Sequence, residues 1–276
     1  MRLVRARHRF WERTYLGFWE GKLKLLRKPG YQEKIAEHYN MYAGKRCFIL
    51  CNGPSLKAQD LSPLKGEITI GSNGIYKGFQ DFGFHTNFLF FEDIEQLELR
   101  RNDFPKIKGP KKLAALYNAY AVKADSDTLF FNAPRMRKNL YYWNELYPQF
   151  SKDFAAIVHL GSTITYVMLQ WAYYLGCEKV YLLGLDHNYG KLPKLFQPGK
   201  IDVTAENIEK IRGLHYTDSY YKIGDQIGVP DVDRQEQAFE LAQKQFQAAG
   251  RTLVNLTPDT KLEAIPKDAY ASVINQ

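Results

Sequence analysis

Two short apolar runs in this chain each stop at a cluster of asparagine, serine and glycine, residues that can bind polar ligands. Residues 47–51 precede Asn52-Gly53-Pro54-Ser55, and residues 68–70 precede Gly71-Ser72-Asn73-Gly74. Asparagine can donate to and accept from a base or a ribose, and glycine lets backbone N–H groups approach a phosphate. Ordinary turns are the alternative for either cluster alone. As a pair, the clusters predict a nucleotide site where the two runs end.

Both runs are continuous and bounded by turn residues, which is typical of strands buried on both faces of a parallel sheet. In such sheets ligands bind beyond the carboxyl ends of the strands, so the polar residues that follow each strand become candidates. We predict an α/β fold: a single Rossmann-like domain with a mostly parallel sheet. Further strands are expected at His85–Phe91 (ending in Glu92-Asp93), Lys111–Leu116, Thr128–Phe131, Lys179–Gly184 (followed by Asp186-His187) and Arg251–Asn255.

The spacing of apolar residues and the start and stop signals predict the helices. Gly161-Ser162-Thr163 lies at the predicted start of one helix, with Ser162 as its N-cap. A serine hydroxyl beside the free N–H groups of a first turn forms an anion site. The predicted helices are residues 31–42, 135–150, 162–175 and 231–249, the last with Phe239, Ala242 and Phe246 on its apolar face and Gly250 as its stop.

Residues 188–228 are polar and predicted to be irregular, apart from a short helical piece at residues 205–212. A segment of this length inside a compact domain is usually a functional lid or disordered. The segment holds His215-Tyr216 and Asp218. Imidazole titrates near neutrality and suits general-base catalysis, which makes His215 and His187 candidates, with Asp218 as a carboxylate alternative. A purely structural hydrogen bond is the competing interpretation of each histidine.

The net charge of +8 is concentrated at the amino terminus, where residues 1–28 hold nine Lys and Arg residues against two Glu residues. Aromatic residues share one face of this basic stretch, which indicates a helix lying on an anionic membrane surface; packing on protein is the alternative. The rest of the chain is near neutral, so no nucleic-acid surface is expected. We expect a cytoplasmic protein, peripheral on the inner face of the cell membrane, with Cys47, Cys51 and Cys177 as buried thiols.

Three blocks of this sequence resemble a known family. The first block is residues 47–56 together with Ser72-Asn73-Gly74. The second is Gly161-Ser162-Thr163 together with residues 175–187. The third runs from residues 230–231 to residues 250–258. Together they resemble the 6-hydroxymethylpterin diphosphokinase MptE-like family (domain of unknown function 115). They are also similar to the bacterial CMP-sialic-acid sialyltransferases of glycosyltransferase family 42. The resemblance spans residues 44–266 and implies an arm at 1–43, a nucleotide-sugar-binding catalytic domain with lid 188–228, and a tail at 267–276.

The sialyltransferase resemblance implies particular roles. Asn52, Ser55, Asn73 and Ser162 match positions that hold the nucleotide sugar, and the block that begins at Gly184 lies near the nucleotide. Those enzymes require no metal and carry a His-Tyr-x-x-His pattern, in which the second His is the general base and the Tyr assists departure of the phosphate. This chain has His215 and Tyr216, but Ser219 stands where the second His would be. The predicted site residues are therefore catalytic His215, Tyr216, Asp218 and His187, and binding Asn52, Gly53, Pro54, Ser55, Asn73, Gly74, Asp93, Gly161, Ser162, Thr163, Gly184 and Asp186.

The function expected from this resemblance is transfer of a CMP-activated, sialic-acid-like sugar onto a cell-surface glycan or lipid-linked acceptor in bacterial surface-polysaccharide biosynthesis. This transfer would need no cofactor. The runner-up is an ATP-dependent diphosphokinase, in which Asp93 and Asp186 would bind Mg²⁺; the chain has no Walker A sequence. A noncatalytic nucleotide-sugar-binding protein is the third reading. The sequence leaves homo-oligomerisation open.

Overall fold

The computed structural model describes residues 30–133, 147–189, 199–217 and 220–274. The predicted basic arm, Asp218 and most of the helix predicted at residues 135–150 lie outside these ranges. The four residues of that segment that are described, 147–150, are not helical. No helix of the described residues is long and apolar enough to cross a membrane.

Seven parallel strands form the central sheet, in the order β5-β4-β3-β2-β1-β6-β9. The predicted α/β, Rossmann-like fold is thereby confirmed. Each predicted strand is present within a few residues of its expected bounds. The strands are β1 (Arg46–Leu50), β2 (Ile68–Ser72), β3 (Phe88–Phe91), β4 (Lys111–Ala115), β5 (Thr128–Phe131), β6 (Lys179–Leu183) and β9 (Thr252–Asn255).

Strand residues alternate between two apolar cores because successive side chains of a strand point to opposite faces. In β1, Cys47 and Ile49 join one cluster of buried residues, whereas Phe48 and Leu50 join the other. Both faces are therefore covered, which is why the strands read as continuous apolar runs. The three cysteines are buried and free of disulfides, as predicted.

Seven helices accompany the strands within the described residues. They are α1 (Tyr31–Ala36), α2 (Phe79–Phe82), α3 (Ile94–Arg100), α4 (Ile164–Tyr174), α5 (Ile208–Ile211), α6 (Val232–Ala248) and α7 (Tyr270–Ile274). Helices α4 and α6 contribute Trp171, Phe239 and Phe246 to the first apolar cluster, and α6 begins at its N-cap Asp231. The carboxy-terminal α7 packs on the domain, since Val273 is buried and its backbone oxygen accepts from Arg46 Nη1 at 3.1 Å.

The structure corrects the predicted length of the first helix. Residues 37–44 form turns instead of continuing α1. The N–H groups of Asn40 and Tyr42 donate to the carbonyl oxygens of Tyr174 and Leu175, at 3.0 and 2.8 Å. This segment thus satisfies carbonyls at the carboxy-terminal end of α4, which a helix could not otherwise bond internally.

The lid segment also differs from its prediction, because it contains regular strands. β7 (Gly199–Asp202) and β8 (Gln226–Val229) form an antiparallel pair, and α5 lies between them in sequence at the predicted helical piece. Val203, Ile208, Ile211 and Ile227 form a small apolar core of their own. The hydrophobic residues of this polar segment are sufficient for a local structure because they converge on one cluster.

Candidate functional site

The sheet reverses its winding at β1, since β2 to β5 succeed one another on one side of it and β6 and β9 lie on the other. In parallel sheets, ligands bind in the crevice beyond the strand ends at such a switch point. The turns after β1 and β6 meet there. The N–H of Gly53 donates to the carbonyl oxygen of Gly184 at 2.9 Å. This places the predicted Asn52–Ser55 and Gly184–His187 segments side by side.

Ser55 and Asp186 join these two turns directly. The Ser55 hydroxyl donates to Asp186 Oδ2 at 2.8 Å, and its N–H donates to Oδ1 at 3.2 Å. Pro54 opens the short 3₁₀ helix (Pro54–Ala58) that carries Ser55. Burial raises the pKa of Asp186, and the bonds from Ser55 act in the opposite direction. The Asp186 carboxylate therefore holds the turn after β1 in place.

Gly53 is required at this turn because of the close approach of Asp186. A Cβ at position 53 would lie 1.9 Å from Asp186 Oδ2 and 2.5 Å from the Gly184 carbonyl oxygen. Gly184 itself has φ of 69°, and a Cβ there would lie 2.9 Å from the Cys51 oxygen. Both predicted glycines thus permit contact between the two strand ends.

Asparagine side chains with unsatisfied acceptors follow β1 and β2. Asn52 Nδ2 donates to the backbone oxygen and hydroxyl of Ser72, both at 3.2 Å. The Oδ1 atoms of Asn52 and Asn73 are buried, and no described residue hydrogen-bonds to them. A buried acceptor without a donor is costly, and the amino or hydroxyl groups of a nucleoside are donors of the required kind. Asn73 also adopts a left-handed conformation, with φ of 50°.

The start of α4 lies beside the end of β1, but its cap differs from the prediction. Thr163 is the N-cap and accepts from the N–H of Thr165 at 3.3 Å, whereas Ser162 lies one residue before it with φ of 60°. Thr165 Oγ1 is 3.5 Å from Cys51 Sγ. The turn is closely packed, because a Cβ on Gly161 would lie 2.5 Å from the Tyr166 ring.

The lid reaches the strand ends through Tyr216. Its N–H donates to the Asn52 carbonyl oxygen at 2.9 Å, and its hydroxyl donates to the Gly74 carbonyl oxygen at 2.6 Å. Burial raises the pKa of this phenol. Tyr216 thus bridges the turns after β1 and β2 and places the lid against both asparagines.

His215, next to Tyr216, lies in an aromatic environment. Its ring stacks on Tyr220 with centroids 4.0 Å apart and meets Tyr221 edge-on at 5.1 Å. Burial, and secondarily the positive charge of Arg100, lower its pKa to about 3. The imidazole is therefore neutral near pH 7, and in this arrangement it is a weak proton acceptor.

His187 and Asp93 lie beside other lid residues than His215 and Tyr216. The His187 ring is 5.7 Å from that of Tyr189, and burial, with a contribution from the charge of Asp93, raises the pKa of Tyr220 and Tyr221. His187 Nε2 is 3.2 Å from Glu236 Oε1 on α6, its ring packs near Phe239, and burial lowers its pKa. Asp93 is the N-cap of α3 and accepts from the N–H of Gln96 at 2.8 Å. The structure therefore gathers Asn52, Ser55, Asn73 and Asp186 with the lid pair 215–216, whereas His187 lies against Glu236 and Asp93 caps α3.

The two carboxylates of the diphosphokinase alternative end strands that are not neighbours. Asp93 follows β3 and Asp186 follows β6, with β2 and β1 between them. Three strand spacings separate β3 from β6 by roughly 14 Å. Direct coordination of one Mg²⁺ by both is incompatible with that spacing. Within the described ranges, no group of three or more His, Cys, Asp or Glu side chains could hold a metal ion.

Sequence reasoning missed two polar residues at this edge. Arg100, the last residue of α3, is buried and contacts the lid through Tyr220, with its guanidinium carbon 4.7 Å from the ring centroid. Helical spacing from Ile94 and Leu97 places Arg100 on the apolar face, a signal that could have identified it. Asn118, after β4, is also buried with its Oδ1 unbonded.

A cavity of about 500 Å³ opens next to Tyr216. Ligand sites have volumes of roughly 300–1,000 Å³, so this space can accept a small molecule. Its lining mixes acidic and basic side chains, which favours a polar ligand. The lining comes from the turns after β1 and β2 and from the lid, and includes Lys57, Asp60, Lys77, Asp81, Tyr216 and Thr217.

Comparison with known proteins identifies the family. The sequence model of the 6-hydroxymethylpterin diphosphokinase MptE-like family matches residues 26–191. The chain belongs to that family. The match includes the turns after β1, β2 and β6, and stops before the lid residues 215–216 of this MptE-like chain. A search of curated proteins found no match.

Solved structures similar to this MptE-like chain include two transferases. One is the MAf glycosyltransferase from Magnetospirillum magneticum AMB-1, with a TM-score of 0.48, 13% identity and coverage of 88% of this chain. This chain spans only 38% of MAf. The other is the sialyltransferase CstII from Campylobacter jejuni, solved with cytidine-5′-monophosphate, with a TM-score of 0.37, 16% identity, and coverage of 82% of this chain and 86% of CstII.

Proposed function

We propose that this protein is a glycosyltransferase that moves a nucleotide-activated sugar, with CMP as the nucleotide, onto a glycan or lipid-linked acceptor. One observation carries the proposal. Tyr216 binds the turns after β1 and β2, where Asn52 and Asn73 each present a buried, unbonded acceptor. Polar groups for a nucleoside and a histidine-bearing lid thus meet at the switch point.

The proposed reaction is a direct displacement at the anomeric carbon. The acceptor hydroxyl oxygen forms a bond to that carbon, while the bond from the carbon to the phosphate oxygen breaks. The bonding electron pair leaves with the phosphate, and a general base takes the acceptor proton. His215 is assigned as the base, and Tyr216 as the residue that assists the phosphate. The lid excludes water, which would otherwise compete as the acceptor.

Two features of the present arrangement bear on these assignments. His215 has a pKa lowered to about 3, and the Tyr216 hydroxyl is bonded to the Gly74 carbonyl. Both residues therefore need a rearrangement when substrates bind, which is common for catalytic groups in structures without substrate. His187 remains a candidate base; its ring lies beside Glu236 and Tyr189. Asp218 also remains one, and it lies outside the described residues.

The basic arm supports an acceptor held at a membrane. Residues 1–28, with their excess of Lys and Arg over Glu, would place the enzyme on an anionic inner surface. A lipid-linked acceptor, or a glycan under synthesis, would be reached from there. This part of the proposal rests on the sequence.

A diphosphokinase is the second candidate, and the family's description favours it. Pyrophosphoryl transfer concentrates negative charge and normally uses Mg²⁺. Asp93 and Asp186, the carboxylates proposed for that metal, end strands roughly 14 Å apart. A kinase of this family would therefore need another set of metal ligands.

A thermal-shift panel of CMP, CDP, UDP, GDP and ATP, each with Mg²⁺ and with EDTA, separates the two candidates. A ligand raises apparent stability by RT ln(1 + [L]/Kd), which is about 2.7 kcal/mol at a concentration 100-fold above Kd. The transferase proposal expects the largest shift with CMP, unchanged by EDTA. A shift with ATP alone that disappears in EDTA would reject it in favour of the kinase.

A further inference from the structure

Arg100 is a buried arginine with no acidic partner among the described residues. Only 3% of the surface of this residue is exposed to solvent. Its Nη1 donates to the Gln96 side-chain oxygen at 2.7 Å and to the Gln96 backbone oxygen at 3.1 Å. Its Nε and Nη2 have no hydrogen-bond partner in the part of the chain that the structure describes. In the described parts of the chain, no ion pair joins this guanidinium to a carboxylate.

The two unbonded groups lie on the same edge of the guanidinium. An Nε–H and Nη2–H pair of this kind matches two oxygens of a phosphate or carboxylate, and binds them bidentately. A buried charge without a partner destabilises a fold. The retention of such a charge at the edge of a candidate site indicates that an anion complements it in a functional complex.

Other hydrogen-bond donors lie near the unbonded edge of the Arg100 guanidinium. Burial raises the pKa of the Tyr220 hydroxyl, and the charge of Arg100, the Gly74 N–H and the Asn73 side chain act in the opposite direction. A Cβ on Gly74 would lie 2.6 Å from the Tyr220 ring and 3.1 Å from Arg100 Nη2. Position 74 therefore brings the backbone, the guanidinium and the Tyr220 ring together because it has no side chain.

We propose that Arg100, Asn73 and the Gly74 N–H form the binding site for a phosphate group of the nucleotide donor. In the bound state a phosphate oxygen takes the position that the Tyr220 hydroxyl holds here. The identity of the ligand as the donor rests on the proposed function. The preference for a phosphate rests only on the donors and their geometry.

Binding at this site would also affect the assigned base. His215 stacks on Tyr220, and the charge of Arg100 contributes to its lowered pKa. An anion against Arg100 cancels that contribution, and displacement of the Tyr220 ring reduces the burial. Occupation of the phosphate site thereby makes His215 a stronger base when the donor is present.

Isothermal titration of the full-length protein with inorganic pyrophosphate, CMP and cytidine tests the site. The variants are Arg100→Gln and a matched control, Arg101→Gln, which removes the same charge from the exposed neighbouring residue. We expect Arg100→Gln to weaken pyrophosphate and CMP binding by roughly 10- to 100-fold, the loss of hydrogen bonds to a charged group. Cytidine affinity, and all binding by Arg101→Gln, should stay near wild type.

Thermal unfolding without ligand controls for folding. Because Arg100→Gln removes an unpaired buried charge, the variant should be at least as stable as wild type. If it fails to fold, Arg100→Lys keeps the charge but loses the bidentate edge, and should weaken pyrophosphate binding by a smaller factor. Pyrophosphate binding that is absent from wild type, or unchanged in the folded Arg100 variant, overturns the proposal.

The same titrations separate this inference from the proposed function. Loss of pyrophosphate binding with an unchanged preference for CMP over cytidine rejects the assignment of the phosphate to the donor. If Arg100→Gln loses binding of both pyrophosphate and CMP, and the wild-type protein transfers no sugar, the phosphate site is supported and the transferase is rejected.

Discussion

Asn52→Ala should weaken nucleotide binding more than it weakens the fold. Asn52 Nδ2 makes two bonds of 3.2 Å to Ser72, whereas its buried Oδ1 makes none. The bonds to Ser72 contribute about 0.5–1.5 kcal/mol to stability. The unbonded oxygen makes no stabilising bond in the free protein, so its bond to a nucleotide appears only in the complex. We expect an affinity loss of about 1–3 kcal/mol, which corresponds to roughly 5- to 150-fold in Kd.

Titration calorimetry with the nucleotide that gives the largest thermal shift measures this loss, and chemical denaturation measures the stability. Asn132→Ala is the matched control. Asn132 follows β5 at the far edge of the same sheet and donates to the Ala156 carbonyl oxygen at 3.1 Å. Wild-type affinity is expected for this control. If both Asn52→Ala and Asn73→Ala also bind like wild type, the nucleotide does not lie at the ends of β1 and β2.

Four further predictions concern the site and the arm. His215→Gln should lower kcat by roughly 10²–10⁴, with little change in nucleotide affinity, in steady-state assays; normal turnover would move the base to another residue. The pKa of His215 is about 3 in the folded protein and near 6.5 in the unfolded chain, so the unfolded chain binds the proton first and the wild-type fold loses stability as pH falls below about 6.5. His215→Gln should therefore lose less stability than wild type between pH 6.5 and 4 in denaturation curves. Gly53→Ala should destabilise the fold by about 2–4 kcal/mol, because its Cβ would overlap the Asp186 carboxylate. The control Gly213→Ala has open space around it and should cost only about 1–2 kcal/mol. Equal unfolding midpoints for the two variants would refute the steric argument. Full-length protein should sediment with anionic vesicles at low salt and be released at 1 M salt, whereas a chain that begins at Tyr31 should not bind; equal sedimentation would show that residues 1–28 do not attach the protein.

Strand positions were predictable because each strand is a continuous apolar run between turn residues. Thr128–Phe131 has its predicted bounds, and β1 begins one residue earlier than expected. The contact of Ser55 with Asp186 was not predictable as a pair, since it depends on β6 lying next to β1. Sequence order gives no direct information on that adjacency.

The lid and α4 show where local patterns fail. β7 and β8 have only four residues each, and their pairing joins residues 199 and 229, so no local signal identifies them. Ser162 and Thr163 are both good cap residues, and the left-handed backbone at Ser162 decides between them. Such a choice depends on the tertiary contacts of the turn.

Arg100 was missed because its importance depends on burial. An arginine at the end of a short helix is usually exposed, and nothing in the local sequence predicts the Tyr220 ring above it. Its position on an apolar face was visible from the spacing. Only the structure could show that Arg100 has two unbonded nitrogen atoms and no acidic partner among the described residues.

Metal-independent transfer of a sugar from a nucleotide can be followed by ³¹P nuclear magnetic resonance, which identifies the phosphorus-containing product. The full-length protein is incubated with a CMP-activated sialic-acid-like sugar and a glycan acceptor in EDTA, and separately with ATP, 6-hydroxymethylpterin and Mg²⁺. We expect acceptor-dependent release of CMP in EDTA and no AMP in the second reaction. Formation of AMP that requires Mg²⁺, with no CMP released in the first reaction, would contradict this expectation.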